Sequence, residues 1–117
     1  MNGLVYPKSK RFSIRIVRLY SFLREEKREY VMSKQLLRSG TSIGANLAEA
    51  ECAISRADFL SKVYIALKEV METIYWLELL HETDYLTNDQ YSSIHKDAEE
   101  LRRMLSSTTK TMREEGY

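Results

Sequence analysis

Glu78 and His81 form a Glu-x-x-His pair, the pattern that di-iron helical bundles use to hold metal. Such a centre takes a second copy of the motif and two further glutamates on facing helices. His95 is the other histidine of the chain, and Ser92 stands where its glutamate would be. No metal site is expected. Cys52 lies beside the acidic run Glu49-Ala-Glu51, the opposite of the electropositive setting expected around a reactive thiol. Asn46 and Glu49 are three apart, as are Glu69 and Glu72, so each pair shares one face of a helix. Paired carboxylates do acid–base work inside a cleft, which a short helical domain lacks. The expected role of these groups is an ion pair with Arg38, Lys62 or Lys68 across the helices. No catalytic residue and no cofactor is expected.

Arg38-Ser-Gly-Thr-Ser-Ile-Gly-Ala-Asn46 has the look of an anion-binding loop. A Walker A loop has a lysine and a hydroxyl residue directly after its last glycine; here Gly44 is followed by Ala45 and Asn46. The glycine spacing is also wrong for a dinucleotide fold, and no strand leads in. A helix fits better. Leu36, Gly40, Ile43, Leu47 and Ala50 keep one apolar phase through both glycines. Gly40, Gly44 and Ala48 are four apart and make a slot into which another helix can settle closely. Each interior glycine costs about 1 kcal/mol against alanine. Ser39, Thr41, Ser42 and Asn46 add smaller costs, so packing must hold this helix together.

A third group is basic. Arg11, Arg15 and Arg18 share a face of the first helical segment, Lys8 leads in, and Lys34 and Arg38 begin the second. Residues 8–38 carry ten Lys/Arg against three acids, a balance of +7, while the rest of the chain carries −6. This half is a candidate surface for phosphate backbones. It has no interleaved aromatics for stacking on single-stranded bases. Pairing between the two oppositely charged halves is the plainer explanation of the same asymmetry.

The elements that must position these residues are helices. The chain has 117 residues, one proline, four glycines and one cysteine, enough for one helical domain without a disulfide framework. Apolar residues recur at threes and fours in four segments. They are Phe12, Ile16, Leu19 and Leu23; Leu36 to Ile54; Phe59, Val63, Ala66, Val70, Thr73, Leu77 and Leu80; and Tyr91, Ile94, Ala98, Leu101, Leu105, Thr108 and Met112. Ser55 with Asp58 reads as an N-cap with an acid in the first turn, and Thr87 with Gln90 as a capping box. The spacing predicts helices over 9–28, 32–53, 56–81 and 88–113 in one domain spanning 1–117. Connections this short fold them into an antiparallel up-and-down four-helix bundle. From Phe59 to Leu80, 15 of 22 residues are apolar or aromatic, with a second stripe through Leu60, Tyr64, Leu67, Met71 and Ile74. That width calls for a place at the bundle centre or a cover from another chain, and self-association is the expectation. No run reaches the roughly 18 apolar residues of a membrane span, and the opening residues lack a signal-peptide core. A cytoplasmic protein with no membrane contact is expected.

Gln35-Leu-Leu-Arg-Ser-Gly-Thr-Ser-Ile-Gly-Ala-Asn-Leu-Ala-Glu-Ala50 resembles the signature of the four-helix-bundle proteins encoded in intervening sequences of bacterial 23S rRNA genes. A second match runs through Asp58-Phe59, Lys62, Ile65-Ala-Leu-Lys-Glu69, Glu72-Thr73 and Tyr75-Trp-Leu-Glu-Leu-Leu80. Arg38, Gly40, Ser42, Gly44, Asn46, Glu49, Glu69, Glu72 and Trp76 are the signature positions that matter most for helix packing. The resemblance covers about residues 10–110. It implies a homo-oligomer, a ring of five in the best-known cases, with no established enzymatic activity. Its genetic setting suggests a link to ribosomal RNA, and distant relatives are accessory partners of reverse transcriptases. One departure is Lys27-Arg28-Glu29-Tyr30, more charged than the Phe-Pro-type link often seen there.

The expected function is a non-catalytic oligomeric scaffold that contacts structured RNA through its N-terminal basic surface, with no small-molecule substrate. The alternative is an adaptor for a protein partner without a direct RNA role. A metal-dependent enzyme is a weaker third reading.

Overall fold

The structure, a computed structural model, describes residues 4–116; residues 1–3 and 117 lie outside the described part. Four helices account for it: α1 (Val5–Glu25), α2 (Met32–Ala50), α3 (Arg56–Glu82) and α4 (Asn88–Glu114). Each packs beside its successor and α1 closes against α4, so α1 and α3 face each other across the diagonal with no close approach of their backbones. The result is a rod of 47 × 22 × 20 Å. The α1–α4 seam is the loosest of the four.

The caps have the anticipated chemistry. The Ser55 hydroxyl accepts from the Asp58 N–H at 3.0 Å, and the Asp58 carboxylate accepts from the Ile54 N–H at 3.1 Å. Thr87 and Gln90 exchange backbone-to-side-chain bonds of 3.1 and 2.9 Å. α3 ends in a Schellman turn, with Tyr85 N–H on the Leu80 carbonyl and Asp84 N–H on that of His81. Asp84 takes the left-handed position at φ 68°, which the polar His81–Asp84 connection supplies without a glycine.

Three boundaries differ from the periodic reading. α1 begins at Val5, four residues earlier than expected, and ends at Glu25. Pro7 falls in its first turn, where an N–H has no intrahelical acceptor to lose, and Val5 is buried in the core. α2 ends at Ala50, not 53, because the chain must turn before Ser55 can cap α3. Ile54, assigned to the α2 seam, is therefore 94% exposed. In α4 the buried threonine is Thr109 and not Thr108.

The core is the stack of seam residues: Phe12, Ile16 and Leu23; Leu36, Ile43 and Leu47; Val63, Val70, Leu77 and Leu80; Ile94, Leu101 and Leu105. Packing against both α2 and α4 buries Leu60 and Ile74 of the second α3 stripe and half-buries Tyr64 and Leu67. Met71 and Tyr75 stay exposed.

Candidate functional site: the polar seam between α2 and α3 and the basic edge of α1

The glycine stretch is the middle of α2, and its slot receives α1. A Cβ on Gly40 would come within 2.8 Å of both branch carbons of Ile16. One on Gly44 would come within 3.3 Å of the Ser9 hydroxyl and 3.4 Å of that of Ser13. Ala48, on the same face, is exposed. The polar side chains turn back onto their own helix. Thr41 donates to the Leu37 carbonyl (2.7 Å), Ser42 to that of Arg38 (2.5 Å) and the Asn46 amide to that of Ser42 (2.8 Å). These bonds occupy groups that would otherwise compete for the helix ladder.

The opposite flank of α2 meets α3 through charge. The Arg38 guanidinium forks between Glu69 (3.0 Å) and Glu72 (2.5 Å), and the Trp76 indole N–H donates to Glu72 at 3.0 Å. Lys62 reaches Glu49 at 3.0 Å. Beneath the fork, the buried hydroxyls of Ser39 and Thr73 share a 3.0 Å hydrogen bond, and Thr73 also bonds the Glu69 carbonyl. The hydrogen bond from Arg38, then that from Trp76, hold the Glu72 carboxyl below the usual carboxylate range; bonding to Glu72 raises Arg38 in turn. Both glutamates sit on one face of α3, as their spacing required, and one arginine occupies both. Lys68 makes no ion pair among the described residues. A carboxylate committed to an arginine and an indole is acceptor-only, and the seam joins helices.

The six basic candidates divide. Lys8, Arg11, Arg15 and Arg18 line up along the α1–α4 seam, while Lys34 and Arg38 lie on α2 away from them. Lys8 pairs with Glu100 at 2.6 Å. Arg15 holds Asp97 at 2.7 Å and both the carbonyl and the hydroxyl of Ser93. Arg11 and Arg18 flank Arg15 and make no ion pair among the described residues. With Ile14 and Asp97 they border a shallow groove.

At the far end of α3, His81 is held by packing. Its ring stacks flat on Tyr91 with centroids 4.2 Å apart, and its Nε2 lies 2.7 Å from the Asn88 side-chain oxygen. Tyr91 in turn stacks on His95 at 4.9 Å. Burial, then the nearby charges of Glu78, Glu82 and Glu99, push the Tyr91 hydroxyl up. Among the described residues no three His, Cys, Asp or Glu side chains converge as metal ligands.

One residue escaped the sequence reading. Glu29 is a buried carboxylate that accepts the N–H groups of Val31 (3.1 Å), Met32 (3.1 Å) and Ser33 (2.7 Å). It caps α2 from the preceding turn, and Ser33 returns a bond to its carbonyl at 2.8 Å. Arg28, at φ 53°, bends the chain to place it. The signal was an acid two residues before an uncapped helix start, inside the charged link that departs from the resemblance.

Fold and seam together define a four-helix bundle of the antiparallel kind, whose signature residues join its own helices. The sequence comparison agrees: residues 2–107 match the model of the 23S rRNA-intervening sequence protein family, and the chain belongs to that family. Among solved structures it is similar to a crystal structure of a protein of unknown function from the S23 ribosomal protein family of Bacteroides thetaiotaomicron. The two are 59% identical with a TM-score of 0.90, over 91% of this chain and 98% of that one. No curated protein matches. Among the described residues no helix is long and apolar enough to cross a membrane.

Proposed function

We propose that this chain is a non-catalytic, self-assembling cytoplasmic scaffold that grips the phosphate backbone of structured RNA with the arginine edge of α1. The observation that carries this reading is the division of the basic stripe. Lys8 and Arg15 are committed to acids of α4, yet Arg11 and Arg18 extend on either side of Arg15 with no ion pair among the described residues. α1 itself has no acid before Glu25. Two cations held about two turns apart on a rigid helix, with a third between them, suit a run of phosphates and read no base edges. Assembly multiplies the edge, and the ring of five is the size that the family resemblance leads us to expect. The paired cations also support the alternative of a protein adaptor, since they show that much of the N-terminal charge serves the fold.

The test is binding of ribosomal RNA fragments across a salt series. Arg11→Gln with Arg18→Gln weakens binding for all sequences alike and lowers the slope of log K against log salt by roughly 1.5–2. No binding at low salt, or binding indifferent to both arginines, sinks the RNA reading. Capture of partners from a native lysate with and without nuclease separates the adaptor from the RNA binder.

A further inference from the structure

Among the described residues, the large apolar side chains exposed on helices belong to α1 and α3 alone. They are Ile14 and Val17 on the first, and Ile65, Met71 and Tyr75 on the third. α2 and α4 show none. α1 and α3 are diagonal partners, so the two stripes point away from the bundle at opposite corners. They are also level. Ile16 lies against Gly40 of α2, and the adjoining Ser39 is bonded to Thr73 of α3. Ile14–Val17 and Met71–Tyr75 therefore bracket the same height on two helices that run in the same direction.

Their charges are opposite at one end, since Lys68 begins the α3 stripe and Glu78 and Glu82 end it. Lys10 shares the outward face of α1 with Ile14 and Val17, Arg18 lies next to it, and α1 has no acid before Glu25. The α3 stripe continues through Tyr75 into Glu78 and Glu82. The arginine edge adjoins it: Arg11, Arg15 and Arg18 turn toward α4, about a quarter of a helical turn from Ile14 and Val17 on average, with Arg18 nearest to Ile14.

We infer that the subunit contact of the assembly is heterologous, with the Ile14–Val17 face of α1 on one copy seated against the Met71–Tyr75 face of α3 on the next. This rests on the self-assembly reading above and assigns its surface. Two unlike, complementary patches on one molecule join copies head to tail, and such contacts close into a ring when the rotation between copies closes. Because the patches are level, the contact needs no shift along the bundle axis, and the rotation between copies sets whether the row closes. It places Arg18 beside Tyr75 and within one helical turn of Glu78. It leaves Arg11 and Arg15 open to solvent on the α4 side, with Ile14 and Arg18 at the margin between the contact and the groove.

The test uses two double variants, Ile14→Glu with Val17→Glu on α1 and Met71→Glu with Tyr75→Glu on α3. All four side chains are exposed, so far-UV circular dichroism retains full helix; the milder Val17→Ser and Tyr75→Ser replace any variant that loses it. Light scattering at micromolar concentration gives more than two copies for the unaltered chain and one copy for each variant. Each variant keeps one intact patch, so an equimolar mixture forms a one-to-one dimer and stops there. A mixture that stays monomeric overturns the proposal. So does either variant keeping the unaltered mass, which would mean like faces pair with like. A monomeric unaltered chain is a different result: it removes the self-assembly reading itself.

Discussion

Ile16 of α1 fills the space that a side chain on Gly40 of α2 would need. Its two branch carbons each stand 2.8 Å from where that Cβ would sit, inside the closest approach that real carbon contacts make. Ile16 is fully buried and β-branched, so it has one comfortable rotamer and nowhere to turn. Gly44 differs: its nearest neighbours are serine hydroxyls at 3.3 and 3.4 Å, which yield more easily. Alanine gains about 1 kcal/mol of helix propensity at either position. At Gly40 the overpacking cost, about 1–3 kcal/mol, exceeds that gain. Gly40→Ala is therefore destabilising by about 1 kcal/mol and Gly44→Ala neutral to mildly stabilising, read as urea midpoints at one protein concentration. Gly44→Leu is too large for the slot and disrupts packing.

Glu29 stands in for the missing N-cap of α2. Val31 occupies the cap position and has no side-chain oxygen to offer. Glu29→Ala strands three N–H groups at a helix start and costs about 1–3 kcal/mol. Glu29→Gln keeps an acceptor oxygen but not the charge, and it loses less. Hydrogen exchange localises the effect: protection falls first in the opening turn of α2.

These two positions show what the chain reveals by itself and what it does not. The Gly40–Gly44 slot is legible because a helix has one period, and small residues four apart must share a face. The Ser55 and Thr87 caps are legible because they are local. Glu29 is not, because its reach to Val31, Met32 and Ser33 depends on the left-handed Arg28, a conformation that sequence does not favour at arginine. The pairing of Arg38 with both Glu69 and Glu72, and of Lys62 with Glu49, was foreseen only as a choice among cations. Which one reaches which acid follows from the height of α2 on α3, set by the Ser39–Thr73 contact across 34 residues of chain. The same register consumes Lys8 and Arg15 on α4, which no periodicity announces.

The Arg38 fork makes acid stability diagnostic. The Glu72 carboxyl is held low, so its contribution is fully present above the ordinary carboxylate range and is lost as pH falls through its lowered value. Arg38 is half exposed and Glu72 about a third, so screening leaves roughly 0.5–1 kcal/mol. In Arg38→Gln the deficit against the unaltered chain is complete near neutral pH and shrinks in acid. Trp76 is the single tryptophan and bonds Glu72 directly, so its fluorescence reports the titration. The emission midpoint moves to higher pH in Arg38→Gln. A deficit that stays constant down to strong acid contradicts the assignment.

Lys68 gives the sharpest consequence of the head-to-tail contact. It is exposed on α3 beside Met71 and, by the register of Ile16 with Thr73, stands level with Arg11. Across the proposed contact it faces Lys10 of the neighbouring α1, a like-charge encounter. Lys68→Glu turns that encounter into an attraction, and assembly tightens by about two- to fivefold. Within its own helix the new acid sits four residues before Glu72 and beside Glu69, so the isolated subunit loses a few tenths of a kcal/mol. Association and subunit stability thus move in opposite directions, which a general gain or loss of fold cannot produce. Sedimentation across a dilution series reads the first, and urea unfolding of the assembly-deficient Met71→Glu, Tyr75→Glu background reads the second. Added salt weakens the Lys68→Glu assembly and strengthens that of the unaltered contact at this end.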